Sequence, residues 1–168
     1  KRDAVGDWWL SFSIRKEDNL KQVKPMTGKT AGFDFGLKHF LTGNDGQKID
    51  SPQYLFHSIS ELRRKSRNLS KKTKGSNSRK RAKLELARFH RRISNLRSNF
   101  HWKLANKLTT EYDTICLETL STKAMQQMWG RKISDLAFAE FVKILSVMCK
   151  KHNRNLVQVN QWEATSKT

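Results

Sequence analysis

The 168-residue sequence carries 34 Lys and Arg against 15 Asp and Glu, giving a formal net charge of +19 and an isoelectric point near 10.3; 36% of its residues are hydrophobic, including five Trp and nine Phe. That apolar content supports a core and excludes a disordered basic tail, no apolar run approaches the roughly 20 residues of a membrane span, and no signal peptide opens the chain, so a cytoplasmic protein without a membrane partner is expected. A field of this sign attracts polyanions, of which phosphate backbones are the commonest in a cell.

Trp8, Leu10, Phe12 and Ile14 alternate with Trp9, Ser11, Ser13 and Arg15, predicting a half-buried strand. The polar stretch from Lys16 to Lys29, with Pro25 and Gly28, reads as a linker. Residues 1–28 are thus expected to be the end of a preceding β domain and a linker, and 29–168 the main domain. The sequence begins with Lys1 and stops at Thr168 without a closing element, so truncation at both ends is expected.

Thr30 to Gly36 alternates again, placing Ala31, Phe33 and Phe35 on one face and Gly32, Asp34 and Gly36 on the other. One carboxylate stands between two glycines, which would leave room for a metal ion and a phosphate. Leu37 to Thr42 predicts a second strand, Asn44-Asp45-Gly46 a tight turn, and Gln47 to Asp50 a third strand of an antiparallel meander.

From about residue 56 to 108 the periodicity becomes helical. Ala82, Leu86, Phe89, Ile93, Leu96 and Phe100 recur at steps of four and three, one apolar seam that suits helix packing better than a cofactor box. Ile59, Leu62 and Leu69 form a shorter seam before the polar turn around Thr73 to Ser78, predicting an inserted antiparallel helical hairpin. Between Glu61 and Lys107, 17 basic residues stand against two acidic ones, a net +15 of the chain's +19. A solvated face would mix signs to limit self-repulsion, so so one-sided a run points to a surface that tracks phosphates. Its candidate nucleic-acid-binding residues are Arg63, Arg64, Arg67, Lys71, Lys72, Arg79, Lys80, Arg81, Lys83, Arg88, Arg91, Arg92 and Arg97. Charge alone does not tell RNA from DNA.

Thr114 to Glu118 predicts a buried strand ending in a carboxylate. Ile133 to Lys151 reads as an amphipathic helix through Ala137, Phe141, Ile144, Leu145 and Met148, with Ser134 or Asp135 as its N-cap, and Leu156 to Val159 as another buried strand. A helix between two such strands implies a parallel crossover. Cys116 and Cys149 have no Cys-x-x-Cys spacing and are expected to be buried thiols, and the five histidines show no metal-ligand spacing. Trp102, Trp129 and Trp162 could stack on bases, although packing explains isolated aromatics equally. If the strand ending in Glu118 lies beside the one carrying Asp34, the two carboxylates meet, as hard divalent cations require. Spacing alone also allows a turn-capping Asp34 and a helix-starting Glu118.

Ordered blocks along the chain, Gly32-Phe33-Asp34-Phe35-Gly36-Leu37-Lys38, Ser51-Pro52-Gln53-Tyr54-Leu55, His90 to Arg97, Ile115-Cys116-Leu117-Glu118-Thr119-Leu120, Ile133-Ser134-Asp135 and the closing Ser166-Lys167-Thr168, resemble TnpB, the OrfB-type protein of prokaryotic insertion sequences. The resemblance implies an α/β fold of the RNase H-like, RuvC-like class, a mixed sheet with the basic helical hairpin inserted at about 56–108. It implies a nuclease that cuts target DNA under a guide RNA, in a nucleoid-associated setting. Asp34 and Glu118 match the first two RuvC carboxylates, expected as catalytic ligands of Mg²⁺, with Mn²⁺ as a substitute. The resemblance also implies a third acidic residue and a Zn²⁺-binding four-cysteine ribbon after the Ser-Lys-Thr segment, where this sequence stops. The fragment by itself is expected to be inactive. A guide-directed DNA-binding repressor without cleavage, and a basic RNA-binding structural protein, are the alternatives; the latter has no reason to bring Asp34 and Glu118 together.

Overall fold

β1 (Thr30–Phe35), β2 (His39–Gly43) and β3 (Lys48–Asp50) follow one another as the expected meander. After them come α1 (Tyr54–Ser70), α2 (Asn77–Glu111), β4 (Thr114–Glu118), α3 (Phe138–His152) and β5 (Asn155–Val159). The computed structural model describes residues 1–3, 5–13, 24–119, 130 and 135–159. It divides into two units, one of Lys1–Glu17 with Tyr54–Arg97 and one of Asp18–Gln53 with Ser98–Thr168. Ile14, most of the Lys16 to Lys29 linker, Ile133, Ser134, Trp129, Trp162 and the Ser166 to Thr168 segment lie outside the described residues.

The second unit contains a five-stranded mixed sheet ordered β3-β2-β1-β4-β5. β2 is antiparallel to β1 and β3, whereas β4 is parallel to both β1 and β5. Parallel neighbours need long crossovers: the connection from β1 to β4 contains the helical hairpin, and the one from β4 to β5 contains α3. Period-two alternation sends Ala31, Phe33 and Phe35 of β1 and Ile115 and Leu117 of β4 into one buried cluster with Leu104, Ala105 and Leu108 of α2 and Phe141, Leu145 and Met148 of α3. At its centre Phe40 is 1% exposed. Its ring meets Phe100, His101, Phe138 and Phe141 at centroid distances of 5.2 to 5.4 Å, mostly edge-on or tilted, as ring quadrupoles favour.

A buried ion pair ties the strand starts together. Arg154, just before β5, pairs with Asp113, just before β4, at 3.2 Å, and donates to the carbonyls of Thr109 and Pro25. Asp113 also accepts the N–H groups of Thr27 and Gly28, which anchors the segment entering β1.

In the first unit, α1 and α2 fold back on one another across residues 71–76. Arg79 donates to the carbonyls of Leu69 and Lys72 near the end of α1, where helix carbonyls lack intrahelical partners. Lys65 of α1 bonds both Glu61 on its own helix and Glu85 on α2. The N-terminal segment closes a small loop in which the Asp3 carboxylate accepts the N–H groups of Val5 and Asp7 and the Trp9 indole, and Arg91 pairs with Asp3 and Asp7.

Four expectations are corrected. Residues 8–13 form no strand; the one pairing nearby is an isolated bridge between Arg2 and Trp8, and Trp8, Leu10 and Phe12 stay 76%, 83% and 81% exposed, because the alternating pattern finds no neighbouring strand. The helix predicted from Ile133 begins at Phe138, since Ala137 takes a left-handed conformation at φ 48°, so Asp135 lies ahead of the helix instead of capping it. β4 and β5 are not buried on both faces: Cys116 is half-buried and Val157 is 44% exposed, because the described helices cover only the face bearing Ile115 and Leu117. Cys149 alone is the buried thiol, and burial pushes its pKa up to about 11.

Candidate metal centre and nucleic-acid interface

The register of β1 against β4 decides where the carboxylates go. Gly32 lies opposite Cys116 and Phe33 opposite Leu117 in parallel pairing, so the next residues along, Asp34 and Glu118, stand side by side. Both point away from the core, because Phe33, Phe35 and Leu117 occupy the inward positions on either side of them. The side chains are in hydrogen-bonding contact. Burial, then the hydrogen bond to Asp34, then the Asp34 charge hold the Glu118 carboxyl above its ordinary range. Two carboxylates that close cannot both ionise freely, so they share a proton or bind a cation.

This donor set fits a hard divalent cation, which prefers carboxylate oxygens and takes the place of the shared proton. Asp34 and Glu118 are the residues that would hold it. Among the described residues, no cluster of three or more His, Cys, Asp or Glu is assembled to hold a metal ion.

The glycines flanking Asp34 differ. A Cβ on Gly36 would sit 2.8 Å from the His39 carbonyl oxygen, so Gly36 is required by the β1–β2 turn, whereas a Cβ on Gly32 would meet nothing within 4 Å. Only Gly32 keeps the sheet face open. Missed by the sequence reading is His39, whose Nδ1 lies 2.6 Å from Asp50 Oδ1 across the β2–β3 pair. Asp50 alternates with the inward Ile49, so this pair shares the outer face with Asp34. No motif spacing announces it; the signal is an edge-strand His opposite an Asp, visible only once the turn register is known.

Of the basic residues singled out on the hairpin, Arg63, Arg64, Arg67, Lys71, Lys80, Arg81, Lys83, Arg88 and Arg92 are exposed, and Lys72 and Arg97 half-buried. Arg79 and Arg91 are engaged with carbonyls and with Asp3 and Asp7, as described above. Trp102 is 42% exposed. No helix among the described residues is long and apolar enough to cross a membrane.

The chain matches the OrfB_IS605 family model, described as "Probable transposase", over residues 11–128. It is 33% identical over 168 residues to a Streptomyces pristinaespiralis protein named "Putative RNA-guided DNA endonuclease", covering 99% of this chain and 41% of that protein. It is 28% identical over 170 residues to "TnpB-like protein L79" of Acanthamoeba polyphaga mimivirus, covering 92% of this chain and 31% of the relative. It therefore spans less than half the length of these relatives. With the family model matched over most of its residues, this chain belongs to the TnpB/OrfB-type transposases of insertion sequences.

Proposed function

We propose that this chain supplies two metal-binding carboxylates and a basic hairpin to an RNA-guided, Mg²⁺-dependent DNA endonuclease associated with a transposable element. The observation that carries the reading is the Asp34–Glu118 contact on adjacent parallel strands. A basic structural protein has no use for two carboxylates held against each other at an energetic cost. The sheet order, with three antiparallel strands followed by two parallel ones, supports an RNase H-like, RuvC-like assignment. Bound Mg²⁺ would stabilise charge on the attacking and leaving oxygens of a phosphodiester. Asp34 and Glu118 orient that charge, Gly32 leaves the sheet face accessible, and the hairpin cations hold phosphates of guide RNA and target DNA.

In the full-length protein loaded with its guide, Asp34→Ala and Glu118→Ala should each abolish DNA cleavage while guide and target binding persist. The metal's contribution is made to the transition state, whereas binding rests on separate basic residues. Cleavage at the wild-type rate by either variant would rule out the assigned roles.

A further inference from the structure

Between α1 and α2, close to their connection, lies an open groove made of two adjoining hollows. One, of 480 Å³, is lined by Arg64, Lys65, Arg67, Asn68, Lys71 and Glu85. The other, of 300 Å³, shares Asn68 and Glu85 and adds Asn77, Ser78 and Arg81 among its walls. These volumes fall at the small end of the roughly 300–1,000 Å³ typical of sites for small ligands.

The groove's two kinds of polar group are segregated. Lys65 is directed inward to Glu85 and Glu61, so the acidic groups are neutralised within the wall. Arg64, Arg67, Lys71 and Arg81 are exposed at the rim, with Arg64 also 3.6 Å from Glu61, a weak surface contact. Asn68 occupies the junction of the two hollows and Asn77 the far wall. An amide offers a donor and an acceptor together, the pattern that matches a base edge and not a phosphate.

Cations on the rim and amides within make a poor fit to a duplex. Duplex phosphates would rest on the rim, but its base edges would stay inside its own grooves. An unpaired nucleotide can place its phosphates on the rim and turn its base inward, as single-strand recognition requires. We propose that the α1–α2 groove is a binding site for an unpaired nucleotide, with rim arginines and lysines on the flanking phosphates and Asn68 and Asn77 on the base edge. This deepens the proposed function and rests on its nucleic-acid-binding half only.

The test titrates the 168-residue chain against labelled single-stranded RNA, single-stranded DNA of the same sequence and the corresponding duplex, by fluorescence anisotropy at several salt concentrations. Single strands should bind more tightly than duplex. Asn68→Ala and Asn68→Leu should each weaken single-strand binding by about tenfold, the loss expected for an amide that reads a base edge, and leave duplex binding and the salt slope unchanged. Arg67→Gln with Lys71→Gln should instead reduce the salt slope by about two, roughly one per phosphate contact. A photoreactive uracil in the single strand should crosslink to the peptide containing Asn68 or Asn77. Preference for RNA over DNA would name the occupant as RNA; equal affinity would name the unpaired base itself. Indifference of both Asn68 variants, or an equal loss on duplex, overturns the groove assignment while leaving a general phosphate-binding hairpin intact. Absence of binding to every oligonucleotide overturns the hairpin's role in the proposed function as well.

Discussion

Gly32 and Gly36 stand two residues either side of Asp34, yet a side chain at each meets a different environment. At Gly36 the added carbon would press on the His39 carbonyl, and backbone yields less readily than a flexible side chain. Gly36→Ala should therefore destabilise the protein by about 1–3 kcal/mol, as overpacking does, readable as a lower urea midpoint at unchanged slope. At Gly32 the space is open, so Gly32→Val should leave the midpoint nearly unchanged. In the guide-loaded full-length protein the same variant should slow cleavage, because it fills the face on which Asp34 stands; wild-type cleavage would show that substrate does not approach there. The alternation of residues 30–36 made the outward face of Asp34 legible from sequence. It did not separate the two glycines, since that difference depends on the turn bringing His39 back over Gly36.

Elements show where periodicity informs and where it fails. The seam on α2 was legible: Ala82 and Ile93 are buried, and further along Leu104, Ala105 and Leu108 are too. Leu96, in the same seam, is 39% exposed, at the place where α2 passes from one unit to the other. A repeat reports which face of a helix is apolar, not which partner meets it. The same limit hid the end of α3, where His152 is 2% exposed and its Nδ1 lies 2.9 Å from Thr109 Oγ1 on α2. Burial, with Lys24, Lys151 and Arg154 nearby, holds the His152 pKa below its ordinary 6.5. The unfolded chain therefore takes up a proton near pH 6.5 that the folded chain accepts only at lower pH. Stability from this group is complete above pH 6.5 and falls as pH drops toward the folded pKa, with a slope of at most about 1.4 kcal/mol per pH unit for one proton. Urea unfolding at pH 7.5 and 5.5 should show that loss in the wild type and a smaller one in His152→Gln. An equal loss in both would assign the effect elsewhere.

For the whole molecule, charge and chemistry are unequally distributed along the chain. The stretch between Glu61 and Lys107 supplies 17 basic residues, whereas the candidate metal centre consists of two carboxylates on β1 and β4. The sequence displayed the first directly, because like charges crowded on a helix are visible without a fold. It showed the second only as two acidic residues separated by the whole hairpin, and their meeting needed the parallel register of β1 and β4. Taken by itself, the 168-residue chain should thus separate binding from catalysis. With two acidic ligands it should cut neither DNA nor RNA when Mg²⁺ or Mn²⁺ is added, since a two-carboxylate set leaves a divalent ion weakly held and poorly oriented. It should still bind nucleic acid, with log affinity falling by about 0.7 to 0.9 per phosphate contact for each tenfold rise in salt. Replacing Arg88, Arg91, Arg92 and Arg97 together by Gln tests whether that slope comes from the hairpin. Arg91 already serves Asp3 and Asp7, so the quadruple variant should lose fewer contacts than four, and adding Arg91→Gln to the triple variant of the other three should change the slope little. Metal-dependent cutting by the chain alone, or binding insensitive to salt, would break the link between the charge pattern and the function inferred from it.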